Sequence, residues 1–426
     1  MPLPSARPAA LGYFDSPWPA EDGGPSRPGR APTHPGLLGS PAPLEVTSRL
    51  EIACTMAVLR EPGEVYLLTH GIGGDAACAV ERIDPQTLER RHRSADLPGG
   101  PIWPGGLGVH RNGDLYVVFG RHAHRLTPDL EISASATLPR ERPYNSFVVL
   151  DDGHLVTKDF GGRLPDGREP HHDTELLVLD PERLDVCSSY RLDEPSVARL
   201  SALGQQVIVV GTTHLFVLEV DPLTQQITEV LRVRYRTLEG QTYGWDATVV
   251  DHVAWFLDNG EGSEGFDGSF TGKGRSAAPL HLVRVDLRTG MCSLTEICGR
   301  PEGLIANPPL IDPSRGLAIG YDSANAVLAC FALDDEGQVT PRWERAQAHG
   351  SHLLLLDGPG ELITGDYRDG VGDELVVLDV GSGQEFTRVA TGSPVQSVLF
   401  PAAGFGADLY YCSFTTIARV AAGDAT

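Results

Sequence analysis

Of the 34 basic residues in the chain only two are lysines, Lys158 and Lys273, and Lys158 is followed directly by Asp159. A buried lysine can give up its proton and act as a base or as an amine nucleophile, which arginine cannot. Lys158 and Asp159 are therefore candidate catalytic groups, set against the plainer reading of a surface ion pair. Asp246, in Gly244-Trp245-Asp246, is a third candidate. Tyr144, Trp245, Asp258, Asp322, Asp366, Tyr367 and Arg121 are candidates for holding a substrate. Four histidines, His70, His122, His214 and His352, form an alternative metal set. Imidazoles around a common channel suit iron, zinc or copper, as in an oxygenase-like centre. Thr271-Gly272-Lys273-Gly274 is not a phosphate loop, because the spaced upstream glycine is missing and Gly274 replaces the Ser or Thr that would hold magnesium.

What gives these residues a common address is a repeat. From residue 44 onward a short apolar strand, a turn, a second strand rich in Leu, Val and Tyr, a third strand ending in Asp, and a polar fourth strand recur. Turn-plus-second-strand units include 112–118, 62–68, 152–156, 358–363 and 406–411. Third strands include Val80–Pro85, Leu176–Pro181, Phe216–Pro222, Leu282–Asp286 and Leu375–Asp379. Short apolar runs bounded by turn residues are a strand signal, and no long helical period competes with it. Four-stranded units of about 40–60 residues define an all-β fold, a single β-propeller.

Units fall at about 51–98, 99–140, 141–193, 194–240, 241–299, 300–349 and 350–394. A last unit, 395–423, has three strands at Ser397–Phe400, Leu409–Ser413 and Thr416–Val420. The segment 44–50 supplies its fourth and closes the ring, which removes open sheet edges. The count is eight blades, or seven if one unit has been split in two. The propeller spans 44–423; residues 1–43, with 11 of the 33 prolines, form a proline-rich arm or tail. In such a ring the candidate residues sit at starts of first strands and ends of second strands, which face one mouth of the channel. Two long loops, Gly161–Glu175 and the glycine-rich Gly260–Leu280, lie on the same face.

The net charge is −23, which excludes most phosphate-backbone binding and disfavours an anionic membrane surface. No stretch approaches the apolar length of a membrane span, and no secretory signal is visible. The seven cysteines are scattered without a CxxC motif, so reduced thiols in a cytoplasm are expected. The arginine bias suggests a GC-rich bacterial genome.

Arg142-Pro143-Tyr144-Asn145, leading to Asp151-Asp152-Gly153, resembles a stretch of the gluconolactonase and senescence-marker-protein family, within the wider superfamily that includes strictosidine-synthase-like proteins. Gly244-Trp245-Asp246 is similar to a later segment of that family. The resemblance implies a calcium- or zinc-dependent lactone hydrolase with a propeller fold, in which Asn145 and Asp246 are metal ligands and Asp246 is also the base. One divalent metal is the cofactor so implied; otherwise none is expected. The family's first-blade Glu has no counterpart, since Cys54-Thr55-Met56 occupies that strand, and the family has six blades.

The sequence thus leads to an enzyme, a hydrolase or lyase, acting on a small molecule at the channel mouth. The alternatives are a non-catalytic propeller binding a protein partner and the histidine-ligated metal site. A quinone-cofactor propeller is a further alternative, set back because the chain has only five tryptophans. Oligomeric state is not legible.

Overall fold

The computed structural model describes residues 11–38, 43–51, 53–71, 76–100, 105–164, 167, 169, 171–334 and 336–423. Eight four-stranded antiparallel blades form a closed propeller, and among the described residues there is no α-helix. The innermost strands are Cys54–Leu59, Gly106–Val109, Tyr144–Val149, Ser201–Leu203, Thr248–Val250, Leu310–Asp312, Leu354–Leu356 and Pro401–Ala403, for blades 1 to 8 in order. Second and third strands are buried almost throughout, whereas outer strands alternate between exposed and half-buried, as in Ile227–Arg234. The apolar runs of the inner strands therefore face neighbouring blades on both sides, and the polar fourth strands meet solvent.

Eight blades is the count the repeat gave. Ring closure is direct: Glu45–Leu50 pairs antiparallel with Thr416–Ala421, so the last blade draws on both ends of the chain. Its first strand is Pro401–Ala403 and not Ser397–Phe400. Ser397 is held instead by side-chain bonds: its N–H donates to Asp373 Oδ1 at 3.1 Å and its hydroxyl to Cys412 O at 2.6 Å. These bonds take the place of a strand ladder.

The aspartates that end the third strands have a physical purpose. Asp84, Asp180, Asp221 and Asp286 each accept from the backbone N–H groups two and three residues on. That bond pattern turns the chain back into the fourth strand. The residue four positions on is then left-handed: Leu88, Leu184 and Gln225 at φ 62, 64 and 56, and Gly290 at the same place in blade 5.

Residues 11–38 thread the channel from the face where the innermost strands end. Val109 N–H donates to Pro19 O, Leu59 to Trp18 O, Ala202 to Pro25 O, Val249 to Ser26 O and Leu355 to Gly29 O, at 2.7–2.8 Å. Arg30–Ala31 adds a short parallel strand to blade 7. The segment thus satisfies innermost-strand donors in five blades, each of which would cost about 1–3 kcal/mol if buried unpaired. Trp18 and Leu37 anchor it in the core. Among the described residues no helix is long and apolar enough to cross a membrane.

Candidate functional site

A tight turn in the arm brings three charged side chains onto the axis. Asp22 is left-handed at φ 50, Gly23 and Gly24 follow, and Gly29 N–H returns to Asp22 O at 2.9 Å. The result is a compact loop, 21–29, in which Arg27 donates to Glu21 Oε2 at 2.7 Å and to Asp22 Oδ2 at 2.8 Å. The ring meets this loop with charges of its own. Arg199, entering blade 4, donates to Glu21 Oε1 at 2.7 Å. His352, entering blade 7, lies 2.7 Å from Asp22 Oδ1 through Nδ1. Asp246, entering blade 5, accepts the Arg199 N–H at 2.6 Å, and its Oδ2 lies 3.7 Å from Arg27. All of these side chains are buried. Burial alone would push the Asp22 carboxyl up, but His352 and Arg27 together hold it at about 2.

Lys158 completes the group. It is fully buried near the end of the second strand of blade 3, and its Nζ donates to Ser196 O at 2.9 Å and Asp159 O at 3.4 Å. Among the described residues no carboxylate oxygen lies within 4.0 Å of it. Burial lowers its pKa to about 7; Asp159 and Asp246 oppose that shift and Arg199 adds to it. Buried polar atoms without a hydrogen-bond partner lie in the same part of the fold: Asp246 Oδ2, Trp245 Nε1 and His349 Nε2. His349 stands edge-on to Tyr321, 4.5 Å between ring centroids, and burial takes it down to about 3. Between the arm and blades 2 to 4 there is a cavity of about 10 Å³ beside Glu21 and Arg27, room for about one water.

The opposite face carries a strap. The loop after Asn259 runs from blade 5 to blade 8: Gly272 N–H bonds Ala324 O at 2.9 Å, Gln396 N–H bonds Gly268 O at 2.8 Å, and Phe270 N–H bonds Gln396 Oε1 at 2.7 Å. Phe266 meets Phe270 edge to face and reaches Phe414, with centroids 5.0 and 5.9 Å away. Asn259 pins the base by donating to Ala278 O and Pro279 O.

The sequence candidates divide on this geometry. Lys158, Asp246 and His352 belong to the axial group, and Trp245 adjoins it. Asp159, Asp258, Asp322 and Asp366 occupy equivalent second-strand ends but turn into their blades. There they accept backbone N–H groups of Glu175, His281, Leu304 and Ala348, respectively. Asp258 also takes His281 and Gln241, and Asp159 and Asp366 pair with Arg140 and Arg388. These carboxylates cap loops. Lys158 and Asp159 are neighbours on a strand and point to opposite sides, so the expected side-chain pair is not made. Tyr144 is buried, its hydroxyl accepting from Arg140 N–H. Arg121 bonds Glu141 and Leu138 O near the surface, and the Tyr367 hydroxyl reaches Pro394 O.

The four histidines do not share a radius. His352 is axial; His70 ends a second strand with Nδ1 on Gly71 O; His122 and His214 begin third strands, bonded to Thr137 and Glu194. Asn145 lies in the first strand of blade 3, and its side chain is outside the described residues. Among the described residues no three His, Cys, Asp or Glu side chains are arranged to hold a metal ion. Asp246, the ligand implied by the lactonase resemblance, has one carboxylate oxygen on the backbone N–H of Arg199 and the other 3.7 Å from the Arg27 guanidinium. The donor set there does not fit a cation, and no step is derived through one.

Glu21, Asp22, Arg27 and Arg199 are the axial residues the sequence reading did not single out. The one available signal is that the arm sets charged side chains among Pro and Gly, at Glu21-Asp22-Gly23-Gly24-Pro25 and Arg27-Pro28-Gly29-Arg30.

The chain belongs by architecture to the eight-bladed β-propellers. No protein-family model matches it, and no curated protein does. Among solved structures it is similar to a quinohemoprotein alcohol dehydrogenase of Pseudomonas putida, with a TM-score of 0.66 and 10% identity over 100% of this chain and 83% of that one. It is similar also to the quinohemoprotein alcohol dehydrogenase of Comamonas testosteroni, TM-score 0.64 and 11% identity over 96% and 81%. A europium-containing methanol dehydrogenase gives 0.60 and 11% over 97% and 98%. At such identity the likeness is one of fold alone, and it does not single out the lactonase family.

Proposed function

We propose that the axial group is the active site of an enzyme for a small molecule, a hydrolase or lyase working by acid–base chemistry. Lys158 is the base, and Asp246, with one carboxylate oxygen not hydrogen-bonded, relays or holds the proton. Arg199 and His352 hold negative charge, as they do with Glu21 and Asp22. The strap over blades 5 to 8 is the element that opens for entry. The observation that carries this reading is Lys158: a wholly buried amine, held by carbonyl oxygens alone and poised at about 7. A general base works best with its pKa near the operating pH. A scaffold that needed only packing would gain stability from an apolar side chain there.

The test is a screen of small lactones and hydroxy acids for a rise in the melting midpoint, followed by product analysis by NMR. Lys158→Met should bind the hit and leave it unconverted. Conversion at the wild-type rate by that variant would sink the assignment.

A second reading rests on the ion pairs themselves. Arg199 and His352 are both answered by acids of the arm, so the group could serve to lock the arm in a non-catalytic propeller that binds a protein partner. In that case the screen yields no convertible ligand, and Lys158→Met alters stability alone.

A further inference from the structure

Where blade 8 meets blade 1, two thiols face each other. Cys54 opens the innermost strand of blade 1, and Cys412 lies in the second strand of blade 8, Asp408–Ser413. The Cys54 N–H donates to Phe414 O at 3.2 Å, and its Sγ donates to Ser413 O at 3.0 Å. Ser413 O, the acceptor of the Cys54 thiol, belongs to the residue next to Cys412, and both cysteines are fully buried in the same core cluster. This is the seam of the ring. Among the described residues, the backbone ladder that joins the two chain ends within a blade is the one between Glu45–Leu50 and Thr416–Ala421.

We propose that Cys54 and Cys412 are a disulfide site that locks the seam covalently when the chain closes in the presence of a disulfide oxidant. The thiolate of one cysteine attacks a sulfur of oxidised glutathione and expels one glutathione thiolate. The second cysteine then displaces the other glutathione. Two S–H bonds are lost, one S–S bond forms, and two glutathione thiols leave carrying the two electrons and two protons. The Cys412 thiol, then burial, push the Cys54 thiol well above its ordinary value, so thiolate is scarce in the finished ring. The bond therefore forms as the seam closes, not afterwards. A link between residues so distant in sequence restricts the unfolded chain strongly.

The test is to unfold the full chain and refold it in a glutathione redox buffer, with a parallel sample refolded in reductant. Free thiols are then alkylated under denaturing conditions for mass analysis and peptide mapping. The expected result is a peptide joining Cys54 to Cys412, with the other five cysteines alkylatable or carrying glutathione. The oxidised sample should melt roughly 5–15 °C above the reduced one. Native protein exposed to the same buffer should link far more slowly. Seven separable thiols after redox refolding, a bond between another pair, or a link that leaves the midpoint unchanged would overturn the proposal. The wild-type comparison needs no variant; Cys54→Ser, if it folds, should show no oxidised–reduced difference.

Discussion

Asp22 and His352 are 330 residues apart in the chain and 2.7 Å apart in the fold, joined where the arm turns beneath the mouth of the channel. That contact, with Arg27 on the other carboxylate oxygen, ties the arm to the ring.

Breaking it should cost more than a surface pair. Asp22→Asn takes away the buried carboxylate that His352 and Arg27 share, leaving Arg27 only Glu21 and the more distant Asp246, and a loss of about 3–5 kcal/mol is expected in urea unfolding at neutral pH. The sign with pH follows from the lowered carboxyl, about 2 in the fold against 3.8 as its ordinary value. Its contribution is present above about pH 4 and is lost as pH falls toward 2. The variant should therefore approach the wild type at the acid end. A constant difference down to pH 2 would contradict the pairing.

Asp373 should behave in the opposite sense. Burial, chiefly, raises its carboxyl to about 8, with Ser397 N–H and Thr391 opposing and Asp366 and Glu374 adding. A raised pKa gives stability that is complete below about pH 4 and is lost as pH rises toward 8. Asp373→Asn fixes the neutral form. It should match the wild type within about 1 kcal/mol at pH 4 and exceed it at pH 9. Equal pH dependence of the two proteins in thermal melts would show that Asp373 is ionised.

The third-to-fourth-strand turns offer a gain. Gln225 is held at φ 56, where blade 5 uses Gly290. Gln225→Gly should raise stability by about 0.5–1 kcal/mol, net of the added freedom in the unfolded chain. A fall in the denaturant midpoint would mean that the Gln225 Nε2 bond to Pro222 O outweighs the backbone strain.

These turns also show what could be read from the sequence. Asp84, Asp180, Asp221 and Asp286 recur at one point of a four-strand unit, and local bonding decides their role, so the blades and their number were legible. The second-strand aspartates were equally legible in position but not in purpose. A carboxylate capping a loop N–H and one facing the axis have the same sequence signature, and Asp159, Asp258, Asp322 and Asp366 proved to be the former. Arg199 meeting Glu21 across 178 residues leaves no local trace at all. Only Lys158, marked by the rarity of its type, was conspicuous for a reason that the geometry also supplies.

The most direct test of the account is the titration of that amine. With only two lysines in the chain, lysine labelled with ¹³C at Cε gives two resonances, and Lys273→Arg assigns them. The account predicts that the Lys158 resonance titrates near pH 7 in the full-length folded protein. A Lys158 that stays protonated beyond pH 9 would contradict it, because a permanently charged ammonium cannot serve as the base at the centre of the ring.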